Sequence, residues 1–352
     1  MTELLTLREA FLRQSKGTAN MGSPFMGALL RVIGERIEPG TALTDRLFAW
    51  PGDVTAAGHS LALRLAGALH GLVLDGSDAG LAAIYPPNDI PGDDEIWAAV
   101  DQAMVRHATR INHWMDRPPQ TNEVGRSAVL IAVGHWLTHR LGKPLQLSEL
   151  GASAGLNLMW DRFALDAGAG VHGPDDAALV LRPKWAGDAV PVAMPRVVDR
   201  RGTDLTPIDP RDAANALRLA AYIWPDQPER LARTRAAIGV AKAVVDQADA
   251  ADWLAARLGQ HLPNTCHLIY HTVAWQYFPD ETKERATQAI TAAGAGASDE
   301  TPIAWFGMEA DGKTPGAGMV LRLWPGNHRF DMGRVDFHGR WVDWRPQRWC
   351  LN

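Results

Sequence analysis

Between Leu145 and Phe163 the chain reads LQLSELGASAGLNLMWDRF, residue types and spacing suited to holding a nucleotide-like ligand. An apolar run (Leu145, Leu147, Leu150) leads into glycines at Gly151 and Gly155. Helix-like residues follow, namely Leu156, Leu158, Met159 and Phe163. The pattern predicts a strand, a tight glycine turn and a helix. Such a turn aims backbone N–H groups and a helix N-terminus at the sheet edge, where an anion or nucleotide can sit. Glycine serves there because a side chain would block the close approach of ligand to backbone.

The same residues fit a second chemistry. GASAG is also G-x-S-x-G, in which Ser153 would be an attacking serine on a strained turn. His271 or His338 could then serve as base, with Asp249 or Asp252 orienting it. That arrangement calls for several strands and an oxyanion loop upstream, and the sequence offers helices there. A dinucleotide fingerprint fits least, because the spacing is G-x-x-x-G and not G-x-G-x-x-G.

The elements that must position these residues follow from periodicity. LTLREAFLRQS, ALLRVIGERI, HSLALRLAGALHGLVL and DEIWAAVDQAMVRHATRINHWM carry helical spacing, separated by EPG, WPGD, LDGSD and YPPNDIPGDD. No strong strand candidate precedes Leu145. From there strands alternate with helices: LQLSEL, RVVDRRGTDL, VVDQADA, TCHLIYHTV, PIAWFGME, MVLRLWP and GRVDFHGRWVDW. This alternation predicts an α/β fold with a mostly parallel sheet covered on both faces. The last two strands would form a hairpin across PGNHRFDM. The expected division is a helical lid or substrate domain over 1–140 and a sheet domain over 141–352, with an insertion near 167–194.

A strand ending in an acidic residue before G-x-x-x-G, here Glu149, resembles the cofactor loop of class I S-adenosylmethionine-dependent methyltransferases. Further positions agree with that resemblance. RRGTDL supplies Asp204, followed by Leu205, to hold the ribose; Asp161 and Asp166 are its rivals. VVDQADA supplies Asp249 and Ala250 beside the adenine. LIYHTVAWQYF ends the fourth strand near the methyl group. The resemblance implies a Rossmann-like, seven-stranded methyltransferase-type sheet with an all-helical N-terminal domain. It implies S-adenosylmethionine as cofactor and a small-molecule acceptor. It places Glu149, Gly151, Ser153, Gly155, Asn157, Asp204, Leu205, Asp249 and Ala250 at the cofactor. His271, then Tyr277, would be the base, and Asn122, Glu123, Arg126 and Trp275 would meet the acceptor. Over nearly the whole chain, QTNEVGR, ELGASAGLNL, AYIWPDQPER, YHTVAWQYF and FHGRWVDW together resemble an uncharacterised bacterial family of unknown function. Two other functions remain open: a serine hydrolase using Ser153, and a ligand-binding protein that keeps the fold without catalysis.

The remaining features bound these readings. A net charge of −5 argues against general nucleic-acid binding. Two cysteines far apart, Cys266 and Cys350, suit a reducing cytoplasm and exclude a disulfide framework. MTELLTLREAFLRQS lacks the continuous apolar core of a signal peptide, and no apolar run approaches the ~20 residues of a membrane helix. His135 and His139 share a helix face, yet no third metal ligand stands near them in sequence, so no metal is expected. The late tryptophans (Trp305, Trp324, Trp341, Trp344, Trp349) read as packing residues. Asp226 and Arg230 read as a capping pair at a helix break.

Overall fold

The computed structural model describes residues 6–348, so Trp349 and Cys350 lie outside the described residues. The chain forms two compact units. One comprises the residues up to Thr121 together with Asp212–Arg235, the other Asn122–Arg211 and the residues from Ala236 onward.

The first unit is helical: α1 (Leu7–Asn20), α2 (Pro24–Arg36), α3 (Ala42–Phe48), α4 (Leu61–Leu74), α5 (Ala79–Ile84), α6 (Asp93–Arg106) and α7 (Ala108–Met115). Thr6 and Glu9 close a capping box that starts α1. The segment 94–115, read from sequence as one helix, is two. They meet at His107, whose Nε2 lies 3.0 Å from Asp78. Buried apolar faces of all seven helices share one core. Asp226 caps α2, accepting from the Ser23 hydroxyl at 2.5 Å and the Phe25 N–H at 3.0 Å.

The first stretch of the helical unit ends at Thr121. The next helix, α8 (Ser127–Leu141), lies in the second unit. A Cβ on its Gly134 would stand 2.2 Å from the Trp160 ring, and Trp136 meets Phe330 edge-on at 4.9 Å. Its apolar length thus belongs to the sheet. Conversely α9 (Ala213–Ala221) lies in the helical unit, where Tyr222 accepts the Trp114 indole N–H at 3.1 Å.

The second unit is α/β. Its strands are β1 (Leu145–Leu150), β2 (Ala164–Asp166), β3 (Val171–His172), β4 (Val180–Leu181), β5 (Lys184–Gly187), β6 (Val197–Asp204), β7 (Val244–Gln247), β8 (Cys266–Thr272), β9 (Ile303–Glu309), β10 (Ala317–Trp324), β11 (His328–Val335) and β12 (Trp341–Arg348). Besides α8, its helices are α11 (Ala250–Leu258) and α12 (Asp280–Ala295); most of α10 (Pro228–Gly239) belongs to the first unit. The main sheet has nine strands in the order β5-β12-β11-β10-β9-β8-β1-β6-β7, not the seven expected. Two departures account for this. HRFDM, expected to lie in the connection, opens the strand β11, and GRVDFHGRWVDW, expected to be one strand, divides between β11 and β12, so the sheet ends in an antiparallel meander. Lys184–Gly187, from the insertion, pairs in parallel with β12 and covers that edge. The rest of the insertion contributes to a separate three-stranded sheet with β2.

Five strands, β7-β6-β1-β8-β9, run parallel. The chain leaves β1 for β6 on one side and later returns to β8 on the other. The order reverses between β1 and β8, which makes their carboxyl ends the crevice where open α/β sheets take ligands. One face, with Leu150, Ile269 and Ile303, packs under α11 and α12.

Candidate functional site

The turn after β1 is tight, as expected, with left-handed backbone at Gly151 (φ +70), Ser153 (φ +52) and Gly155 (φ +68). A Cβ at Gly151 would meet Ala274 at 2.6 Å, and one at Gly155 would meet Val245 at 2.9 Å. The segment after it is a seven-residue 3-10 helix, Leu156–Arg162, in place of the expected α-helix. Most of its donors are also spent. Gly151 and Ala152 N–H donate to Thr203 O, both at 2.9 Å, Gly155 N–H donates to Ala152 O at 2.8 Å, and Leu156 N–H donates to Asn122 Oδ1 at 2.7 Å. Ser153 N–H donates to Asp204 Oδ2 at 2.9 Å. The turn therefore offers side-chain atoms to a ligand and not a cradle of free N–H groups.

Three sequence motifs that lie far apart in the chain meet at this turn. Asn157 accepts the Ser127 hydroxyl at 2.7 Å and donates to Glu123 O at 3.3 Å. The Glu123 carboxylate accepts Gly125 N–H at 2.9 Å. Arg126 donates from Nε to Phe337 O at 2.9 Å and from its terminal nitrogen to Thr272 O at 2.8 Å. It thus ties the start of α8 to the end of β8 and to the turn before β12. Gly125 and Gly339 interlock there. A Cβ on Gly125 would stand 2.2 Å from His338 O, and one on Gly339 would stand 2.3 Å from Gly125 O. These glycines are needed for backbone to lie directly on backbone.

At the centre sits Glu149, 2% exposed, with its Oε2 buried and without a hydrogen-bond partner. Burial pushes its carboxyl well above the usual range, the Asp204 charge adds to this, and the Arg126 guanidinium opposes it. Ser153 Oγ is likewise buried and unpartnered. Asp204 ends β6, beside β1, and its second oxygen accepts Thr206 N–H at 2.9 Å. Its rivals lie elsewhere. Asp161 pairs with Arg200 at 2.5 Å, and Asp166 ends β2 of the small sheet. Leu205, after Asp204, is apolar and 67% exposed.

Other expected residues have different surroundings. Asp249 caps α11 through the N–H groups of Ala251 and Asp252 and accepts the Thr282 hydroxyl at 2.9 Å, with Ala250 buried behind it. His271 does not face Glu149. Strand alternation turns it to the α11–α12 side of the sheet, whereas Glu149 and Tyr270 face the other. Its Nδ1 donates to Glu309 Oε1 at 2.8 Å and its Nε2 accepts the Trp305 indole N–H at 3.1 Å, so both ring nitrogens are engaged. Trp275 stacks on this ring at 4.7 Å. Tyr277 is 75% exposed. His135 lies edge-on to His172 at 5.2 Å with Nδ1 on Pro191 O, and burial lowers its pKa to about 4. Burial pushes the Cys266 thiol up to about 12, which leaves it inert as a nucleophile.

Sequence reasoning missed two features: Glu309, a strand-end glutamate indistinguishable from a surface one, and the Gly125–Gly339 contact. The second had a signal, since both glycines sit in polar motifs without turn-type neighbours.

Fold and site together define an α/β protein whose polar groups gather at the switch point of a large mixed sheet. A family described as uncharacterised proteins conserved in bacteria (DUF2332) matches residues 8–344, and the chain belongs to it. No curated protein matches the chain. Among the described residues, no helix is long and apolar enough to cross a membrane.

Proposed function

We propose that the switch-point site binds S-adenosylmethionine and that the protein transfers its methyl group to a small acceptor. One observation carries this reading: Glu149, buried at the end of the central strand with a carboxyl oxygen that nothing satisfies. A buried acceptor without a donor costs about 1–3 kcal/mol. The ammonium of the cofactor's methionine half supplies that donor. Ser153 Oγ, also unsatisfied, suits the same polar end. Asp204 at the neighbouring strand end retains lone pairs for ribose hydroxyls, and exposed Leu205 offers an apolar face to the adenine. When bound, the cofactor supplies a methyl group already activated by its sulfonium. The protein's share is then alignment and exclusion of water. Arg126 holds the end of β8 against the start of α8, and the adjoining Asn122 meets the residue after the glycine turn.

Calorimetric titration with S-adenosylmethionine and S-adenosylhomocysteine tests the reading. We expect micromolar binding of both, weakened at least tenfold in Asp204→Asn. No binding at millimolar ligand would sink it. A second reading, acyl transfer by Ser153, is favoured by that residue's left-handed φ of +52 and its free Oγ. No base reaches Ser153 Oγ among the described residues. Esterase turnover that Ser153→Ala abolishes would establish this second reading.

A further inference from the structure

On the sheet face opposite Glu149, β8 to β11 and α12 border a cleft of about 360 Å³. Register arranges its floor in rows. Arg322 lies beside Trp305 on one strand and Arg329 on the other. Two residues along, Val320 faces Gly307, and two further, Gly318 faces Glu309. The outer rows are four residues apart, about 13 Å at about 3.3 Å per residue.

The two ends carry opposite charge. The Arg322 guanidinium lies over Trp324 at 4.6 Å and Trp305 at 5.7 Å, and donates to Asn327 Oδ1 at 2.8 Å. It pairs with no carboxylate among the described residues. Partial burial and the adjacent Arg329 hold its pKa below the ordinary arginine value. At the other end Glu309 Oε1 takes three donors: His271 Nδ1 and the N–H groups of Ala274 and Trp275. Its Oε2 is buried and accepts nothing. Burial alone would raise this carboxyl; the His271 ring and the two backbone donors outweigh it, so Glu309 stays ionised at neutral pH. Between the ends the floor is apolar. Gly307 leaves bare backbone because a Cβ there would meet the His271 ring at 2.8 Å.

A cation without a carboxylate and an ionised carboxylate with an unused oxygen, at opposite ends of one apolar-floored cleft, call for a ligand that matches both. We propose that this cleft binds an elongated zwitterion. Its carboxylate lies at Arg322 and Arg329, its ammonium at Glu309, and a short apolar chain crosses Val320 and Gly307. The proposal is independent of the adenosyl site, which lies on the other face, and its test uses no adenosyl compound.

The test is calorimetry of the full chain with ω-aminooctanoate and, separately, octanoate, with thermal melting as a check on folding. The zwitterion should bind at least tenfold more tightly than octanoate. Arg322→Ala should weaken it at least tenfold. Val320→Phe, which fills the middle of the cleft and leaves both charged ends in place, should abolish binding. Equal binding of the two ligands, unchanged binding by folded Val320→Phe, or no heat from the zwitterion at millimolar concentration would each overturn the proposal. If Arg322→Ala fails to fold, Val320→Phe decides.

Discussion

Replacing Glu149 with glutamine makes the protein more stable and a poorer binder at the same time. The Glu149 carboxyl sits above its ordinary value of 4.5 in the fold, so folding favours its protonated form. Its contribution to stability is fully present below the ordinary value and is lost as pH rises through the raised one. Glutamine never ionises, so Glu149→Gln matches the parent near pH 4 and gains on it as pH rises. At pH 8 we expect a melting temperature about 2–4 °C higher, the worth of about 1 kcal/mol in a domain of 150–250 residues. Binding moves the other way. On the proposed function, the ammonium of S-adenosylmethionine would favour the ionised carboxylate, so binding should release a proton and affinity should rise with pH. Removing one partner of such a buried pair costs about 2 kcal/mol or more, roughly thirtyfold in affinity. Melting curves across pH, with calorimetry in two buffers of different ionisation enthalpy, measure both effects. A stabilised variant that binds as tightly as the parent would remove Glu149 from the site.

The second large effect is on the fold. Gly339→Ala should lose about 2–5 kcal/mol. Of this, about 1–2 kcal/mol is the left-handed backbone at φ +75, and about 1–3 kcal/mol the displacement of Gly125 O, 2.3 Å from the new Cβ. Gly312→Ala is the control. It has the same sign of φ, +76, with nothing within 4 Å of its Cβ, so it should lose only about 1 kcal/mol. Urea midpoints of the two variants separate strain from packing. Equal losses would mean that the Gly125–Gly339 contact contributes nothing.

Much of the parallel half of the sheet was legible in the sequence, because LQLSEL, TCHLIYHTV and PIAWFGME are apolar runs bounded by turn residues. The glycine turn was legible for the same reason. The antiparallel end was less so. HRFDM is mostly polar and follows Pro325-Gly326-Asn327, so it reads as part of the loop, although it forms the first residues of β11. Nothing in Lys184–Gly187 marks an edge strand, since its pairing depends on a β12 that is far away in sequence. Asn122, Glu123 and Arg126 stand out as polar residues ahead of an apolar run, Glu149 and Asn157 through the methyltransferase resemblance, and hydrogen bonds join Asn122 to Leu156 and Asn157 to Glu123. His271 was found by type, but the side it faces depends on register, which composition does not encode.

The bond from Arg126 to Phe337 joins residues 211 positions apart. Closing so long a loop is entropically costly and comes late in folding. On the ribosome, the glycine turn, the end of β8 and the start of α8 all emerge before FHGRW, the segment that locks them. The chain therefore passes through synthesis with Glu149, Ser153 and Asp204 made but the segment around them not yet clamped. A chain stopped before Phe337 would hold Glu123, Glu149 and Asp204 and still lack the carbonyl that Arg126 grips.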